Sequence, residues 1–252
     1  MIASLPMYAR PSNRRAYDAL WSLIAEGLRA RGIAAPDLLD HETSHIAGWK
    51  RPDLILGQIC NLPYRLAFRE KVTRIGAADY GLDGCAPGYY RSVFIARASE
   101  GQCTPEQFAD RRFAKNDIYS QSGYGAAQLW AAQHGFQFTN LLETGAHRSS
   151  IAAVATGRAD IAAIDAQTWR MAEQDMPEVA NLQIIGATDP SPGMSFITAG
   201  KTDPAPYFAA ISDAIAGLNT PHQQTLGLVG IVALDDSAYD LPFPPNYAPP
   251  AM

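Results

Sequence analysis

The sequence predicts an α/β protein of two lobes, the second inserted in the first. Three observations lead there. Short apolar runs alternate with segments whose apolar residues recur at spacings of three and four. A second round of such units opens only after a glycine-rich loop, Tyr80 to Gly88, and a long strand, Tyr89 to Arg97. A later strand, Gly193 to Ala199, is placed to carry the chain back. These crossings set the expected boundaries: lobe I from residues 1–92 and 194–252, lobe II from 93–193.

Taken in order, residues 2 to 8 read as a first strand, and Pro11-Ser12-Asn13 supplies turn and cap residues for a helix through Tyr17, Leu20, Trp21, Ile24 and Leu28. Gly32 ends it. Ile33 to Leu39 is expected as a second strand, Ser44 to Trp49 as one helical turn, and Pro52 to Gly57 as a third strand covered on both faces. Gln58, Cys60, Asn61 and Tyr64 then fall at the carboxyl end of a strand, where open α/β sheets place ligands. Leu62 to Phe68 reads as helix and Val72 to Ala78 as strand.

In the second lobe Thr104-Pro105-Glu106 has a cap, an N1 proline and an acidic first turn, so a helix starts there. Strands are expected over Arg112 to Lys115, Gln137 to Leu142, Ala159 to Asp165 and Leu182 to Gly186. Helices follow to His134, from Ala146, and from Ala166 to about Glu173. Tyr207 to Leu218 and Gln223 to Leu228 are the last helices. The end, Leu241 to Pro250, is too rich in proline for helix or central strand and reads as a trailing arm.

Composition narrows the function. At 252 residues and 47% apolar content the chain can bury one large or two modest cores. A net charge of −5 with scattered Lys and Arg argues against a nucleic-acid partner. Cys60, Cys85 and Cys103 form no zinc spacing or evident disulfide framework. No apolar run is long enough to insert in a membrane. Met1 leads into no basic and apolar leader, so a cytoplasmic location is expected if Met1 is native.

The most informative stretch is Asn116 to Ala127. Ser120 and Ser122 flank Gln121, Gly123 follows, and a helix begins at once, so unpaired backbone N–H groups should point outward beside two hydroxyls. This is an anion cradle without a lysine. Gly145-Ala146-His147-Arg148-Ser149-Ser150 opens another helix one unit later, and helices on one side of a parallel sheet would bring both starts to one crevice. Asp165 ends an apolar strand; it can accept bonds from a ligand or cap the helix from Ala166.

With these residues placed, the chain resembles the phosphate, phosphite and phosphonate solute-binding proteins of ABC importers. Tyr119-Ser120-Gln121-Ser122-Gly123 is similar to that family's Ser-x-Ser-Gly loop. Gly145-Ala146-His147 with Val154 to Asp165 resembles its Gly-x-His helix start and the following strand, and Tyr90 to Ile95 its first crossing strand. Gln58, Asn61 and Tyr64 depart from its Gly-x-x-x-Tyr look. The resemblance implies a type II periplasmic-binding-protein-like fold with two crossover strands and a ligand cleft between lobes. It further implies that Ser120, Ser122 and His147 hold a small oxyanion, joined by Gln121, Gly123 and nearby amides. Tyrosines of the other lobe, with Tyr8 and Tyr89 or Tyr90 in comparable places, would close over it. Asn61 and Asp165 complete the candidate set.

The expected protein is a monomeric, non-enzymatic receptor with no cofactor or metal, serving an ABC permease and binding by hinge closure. The alternatives are a leaderless enzyme of the same fold, similar to menaquinone-pathway lyases, with His147 as base, and a cytoplasmic ligand sensor.

Overall fold

The computed structural model describes residues 1–252. The chain forms two compact units: Met1–Tyr89 with Pro192–Tyr239 and Met252, and Tyr90–Ser191 with Asp240–Ala251. The proline-rich arm, expected with the first lobe, therefore groups with the second unit. Its tyrosine and carbonyl groups bond there: Tyr247 Oη donates to the Ile118 carbonyl at 3.1 Å, and Tyr119 Oη donates to the Pro250 carbonyl at 2.9 Å.

The first unit holds a five-stranded sheet in the order Ile2–Ala3, Leu54–Ile59, Ser195–Ala199, Val72–Asp79 and Gly230–Val232. Ser195–Ala199 runs antiparallel to both neighbours, so the segment expected as the return crossing is a central strand. The chain actually returns at Ser191–Pro192, which pairs with Tyr89–Tyr90 in a two-stranded ribbon. The helix Arg14–Ala30 buries Tyr17, Leu20, Trp21, Ile24 and Leu28, as their spacing requires. Gly32, at φ 78°, ends it with its N–H on the Arg29 carbonyl. Ser44 caps His45–Trp49.

Two expected strands fail for identifiable reasons. The first is only Ile2–Ala3, because Pro6 has no N–H to donate and the chain turns there, although Ser4 N–H still reaches the Leu56 carbonyl at 2.9 Å. Ile33 to Leu39 is irregular. Pro36 interrupts it, its carbonyl takes the Trp21 indole N–H, and Leu38 is 82% exposed. Gly230–Val232 is an edge strand the sequence did not announce, and it is too short for its period to show.

The second unit has its own sheet, ordered Leu141–Glu143, Phe113–Lys115, Ile161–Asp165, Ser92–Arg97 and Leu182–Ala187. The long strand expected over residues 89–97 breaks at Arg91, and Gln137 to Leu142 contributes strand only from Leu141. Phe113–Lys115 lies parallel to both of its neighbours. Phe94, Phe113 and Phe138 are fully buried beneath the helical stretch ending at Gln133, with Phe94 and Trp130 rings 4.8 Å apart. Asp160 takes Arg97 at 2.9 Å and Arg111 at 3.2 Å, a structural role at the amino end of its strand.

Phe94 anchors the helix to the sheet, so Phe94→Ala should cost about 3–5 kcal/mol of unfolding free energy. Urea unfolding followed by tryptophan fluorescence measures this.

Candidate functional site

The parallel pairing in the second unit decides where its loops go. Phe113–Lys115 and Leu141–Glu143 are adjacent and run the same way, so the loops after their carboxyl ends lie side by side. The first loop enters a wide π turn, Gln121–Gly125, that continues as the α-helix Ala126–Gln133. Gly125 N–H bonds the Ser120 carbonyl five residues back at 2.9 Å. The second loop enters the helix His147–Ala155.

The two starts meet. Ser122 Oγ lies 2.8 Å from His147 Nε2, and Ser120 Oγ is 3.5 Å from Ser122 Oγ. Ser120 caps its own helix by accepting from Gly123 N–H at 3.0 Å. At the other start Ala146 has no side-chain oxygen to offer, so the first-turn amides of His147, Arg148 and Ser149 carry no cap from it. Both helix ends favour negative charge, and no lysine or arginine belongs to the cradle itself. Arg148 is turned to Asp175, at 2.6 Å.

Gly123 is required by proximity. A Cβ there would collide with Asn116 Oδ1 and lie 3.0 Å from His147 Cε1. Gly145 serves the second loop differently: its φ of 83° lets the chain turn into the helix. Thr144 braces that turn, its hydroxyl 2.7 Å from Ser150 Oγ and its N–H on the Lys115 carbonyl at 2.9 Å.

Burial sets the charge of His147. Its Nδ1 is sealed from solvent without a hydrogen-bond partner, and desolvation pulls the imidazole pKa down to about 4. The ring is therefore neutral near pH 7, and Nε2 can donate or accept according to its tautomer. A bound anion would oppose the desolvation effect and raise that pKa.

Of the sequence candidates, Ser120, Gln121, Ser122, Gly123 and His147 form this one group. Asp165 is completely buried, and its carboxylate accepts Thr168 N–H at 2.9 Å, which is the helix-capping role. Tyr90, 3% exposed, stands in the ribbon at the start of the same unit. Tyr8 and Asn61 belong to the first unit. Tyr8 packs edge-on against Tyr80 at 5.0 Å, and its carbonyl accepts from Asn13 Nδ2. Asn61 Oδ1 accepts from Arg65 Nε at 2.9 Å while Asn61 Nδ2 is buried without a partner. Gln58 is inside its strand, and its carbonyl takes the Trp49 indole N–H.

Two supporting residues, Ser92 and Thr188, were not singled out beforehand. Ser92 Oγ donates to the Ser122 carbonyl at 2.8 Å, and Ser92 N–H donates to Thr188 Oγ1 at 3.0 Å. Asn116 lies against Gly123. A lone serine opening the apolar run Val93-Phe94-Ile95 was the available signal for Ser92. Asn116, just past a strand, was the signal for the loop. No group of three or more His, Cys, Asp and Glu side chains is arranged to hold a metal ion.

The His147 shift has a definite sign. Between about pH 4 and the ordinary imidazole value near 6.5, the unfolded chain binds more protons, so stability rises with pH and is lost as pH falls through that window. The effect is on the order of 3 kcal/mol at most, and less to the extent that the residue as a whole is only half-buried. NMR titration of the ligand-free protein should place the His147 midpoint near 4. Urea unfolding at pH 4.5 and 7 should show a smaller pH difference in His147→Gln.

Comparison with known proteins gives the family and the fold. The family described as the periplasmic substrate-binding protein of the phosphonate ABC transporter matches residues 2–239. Among curated sequences no relative matches. Among solved structures, XAC2383 from Xanthomonas citri, bound to ATP, superposes with a TM-score of 0.69 at 16% identity, over 94% of this chain and 92% of that one. PhnD1 from Prochlorococcus marinus, in complex with methylphosphonate, gives 0.67 at 17% identity, over 95% and 94%. The binding component PA3383 of a phosphonate ABC transporter from Pseudomonas aeruginosa gives 0.67 at 17% identity, over 95% and 82%. These likenesses show the two-lobed type II periplasmic binding protein fold. The match along almost the whole sequence shows more: this chain belongs to the phosphonate-type substrate-binding proteins of ABC transporters.

Proposed function

We propose that this protein captures a small tetrahedral oxyanion, phosphonate-, phosphite- or phosphate-like, and presents it to an ABC permease. The observation that carries the reading is the 2.8 Å contact between Ser122 and His147, which joins two helix starts in one group of hydroxyls, imidazole and amides. Ser120, Ser122, His147 and first-turn amides would bind the anion oxygens, and Gly123 would admit them close to the backbone. Tyr8 and Asn61, of the other unit, are the proposed covering residues brought over the ligand by hinge closure, and Tyr90 is a proposed contact from the cradle's own unit. Methylphosphonate bound to PhnD1 supports the ligand class.

The magnitudes suit reversible capture. A micromolar dissociation constant needs about 8 kcal/mol. Hydrogen bonds to a charged group contribute roughly 1.5–3 kcal/mol each, so four to six supply about 6–18 kcal/mol, a range that spans this need and, above its low end, offsets closure. An enzymatic reading has less support, because His147 Nδ1 has no partner that would orient the ring as a base.

Isothermal titration with phosphate, phosphite, methylphosphonate and 2-aminoethylphosphonate should give saturable binding of at least one. Silence with all four at millimolar concentration removes the oxyanion reading. Ser122→Ala should weaken the productive ligand by about ten- to a hundredfold, and Gly123→Ala should do at least as much through its clash with Asn116. Because an anion raises the His147 pKa, wild-type binding near pH 5 should take up protons. Titrations in buffers of different ionisation enthalpy detect this, and His147→Gln should lose it.

A further inference from the structure

The arm after Tyr239 has no regular secondary structure beyond Asp240, yet it follows a defined path on the second unit. Leu241 and Pro242 share with Gln121, Ala126, Leu129 and Trp130 the wall of a cavity of about 400 Å³. Farther on, Tyr247 N–H bonds the Pro244 carbonyl at 3.1 Å, with Pro245 and Asn246 between them and Asn246 at φ 56°. A proline followed by a residue of positive φ is the pattern of a type II turn, and asparagine tolerates that conformation.

That turn delivers Tyr247 to the loop preceding the cradle. Its Oη donates to the Ile118 carbonyl at 3.1 Å, its ring lies 6.2 Å from that of Tyr124, and Phe243 stacks on it at 5.8 Å. Three residues later the Pro250 carbonyl accepts from Tyr119 Oη at 2.9 Å. Ile118 and Tyr119 precede Ser120, and Tyr124 follows Gly123. The arm thus grips both flanks of Ser120-Gln121-Ser122-Gly123.

We infer that the C-terminal arm is a strap that holds the Ser120 to Gly123 loop in its binding conformation, with Tyr247 as the positioning residue. The physical need is preorganisation. A cradle made of amides and hydroxyls works only if they point together before the ligand arrives, and ordering a loose loop would consume binding free energy. The arm is cheap to order itself, because prolines at 242, 244, 245, 249 and 250 already restrict its backbone when it is free. The strap's effect on affinity rests on the proposed function; its mechanical effect on the loop does not.

The test uses the full chain with Tyr247→Phe, Tyr247→Ala and Tyr119→Phe. Without ligand, amide hydrogen exchange at residues 118–124 should quicken about two- to tenfold in each, most in Tyr247→Ala, with Ile161–Asp165 unchanged. Affinity for the tightest anion of the four above should fall by a comparable factor, mainly through faster dissociation. Unchanged exchange at 118–124, or equal acceleration at Ile161–Asp165, overturns the strap. Loosened exchange with unaltered affinity overturns its part in binding. Loosened exchange in a protein that binds none of the four anions upholds the mechanical strap and sinks the receptor reading instead.

Discussion

The hydrogen bond between Ser122 and His147 is the constraint around which the second unit is built. It can form only because two neighbouring strands run parallel and end at the same edge, so that the loops leaving them are adjacent. It also needs an absence: any side chain at residue 123 would drive into Asn116 and crowd the imidazole. Ser92 holds the Ser122 carbonyl from behind, and Thr144 fixes the turn into the second helix. Each of these supports is a neutral hydrogen bond, worth about 0.5–1.5 kcal/mol alone, and their value is geometric.

Neutrality matters chemically. The cations nearest the site in sequence are already paired: Lys115 with Glu143, Arg148 with Asp175. His147 has its charge suppressed by burial. The positive potential at this group therefore comes from oriented amides at helix starts, and on the proposed function no ion pair would have to break for an anion to bind. On the proposed function, a fixed cation would bind an anion more tightly and release it more slowly than this arrangement does. The wide first turn at Gln121–Gly125 serves the same end, since the i to i+5 bond spreads the helix start.

Much of this was legible in the sequence, and the parts that were not have physical causes. The helix Arg14–Ala30 declared itself by a stripe of buried residues at spacings of three and four, and the Ser120 cap by its place before an apolar helix. Burial over many residues makes such periods reliable. Short edge elements have none to show, so Gly230–Val232 was missed and Ile33 to Leu39 was read as strand through a proline. Ser92 hid because a serine beginning an apolar strand looks like packing until its partner 30 residues away is known. Asp165 offered two roles by position, and its capping of the helix from Ala166 depends on where Thr168 N–H falls.

The proline-rich arm shows most clearly what composition can and cannot say. Five prolines in its twelve residues rule out helix and central strand, and that much follows from the missing N–H groups. The same prolines make the arm poor at hydrogen bonding through its own amides, so what attaches it must be side chains and carbonyls. The structure has Tyr247 donating out of the arm and Pro250 accepting into it. A residue that cannot donate leaves its carbonyl unopposed by a neighbouring ladder and available to a tyrosine. A segment that reads as a trailing arm by its content is thus held by the few groups its content leaves over, and those groups fall on the flanks of the Ser120 to Gly123 loop.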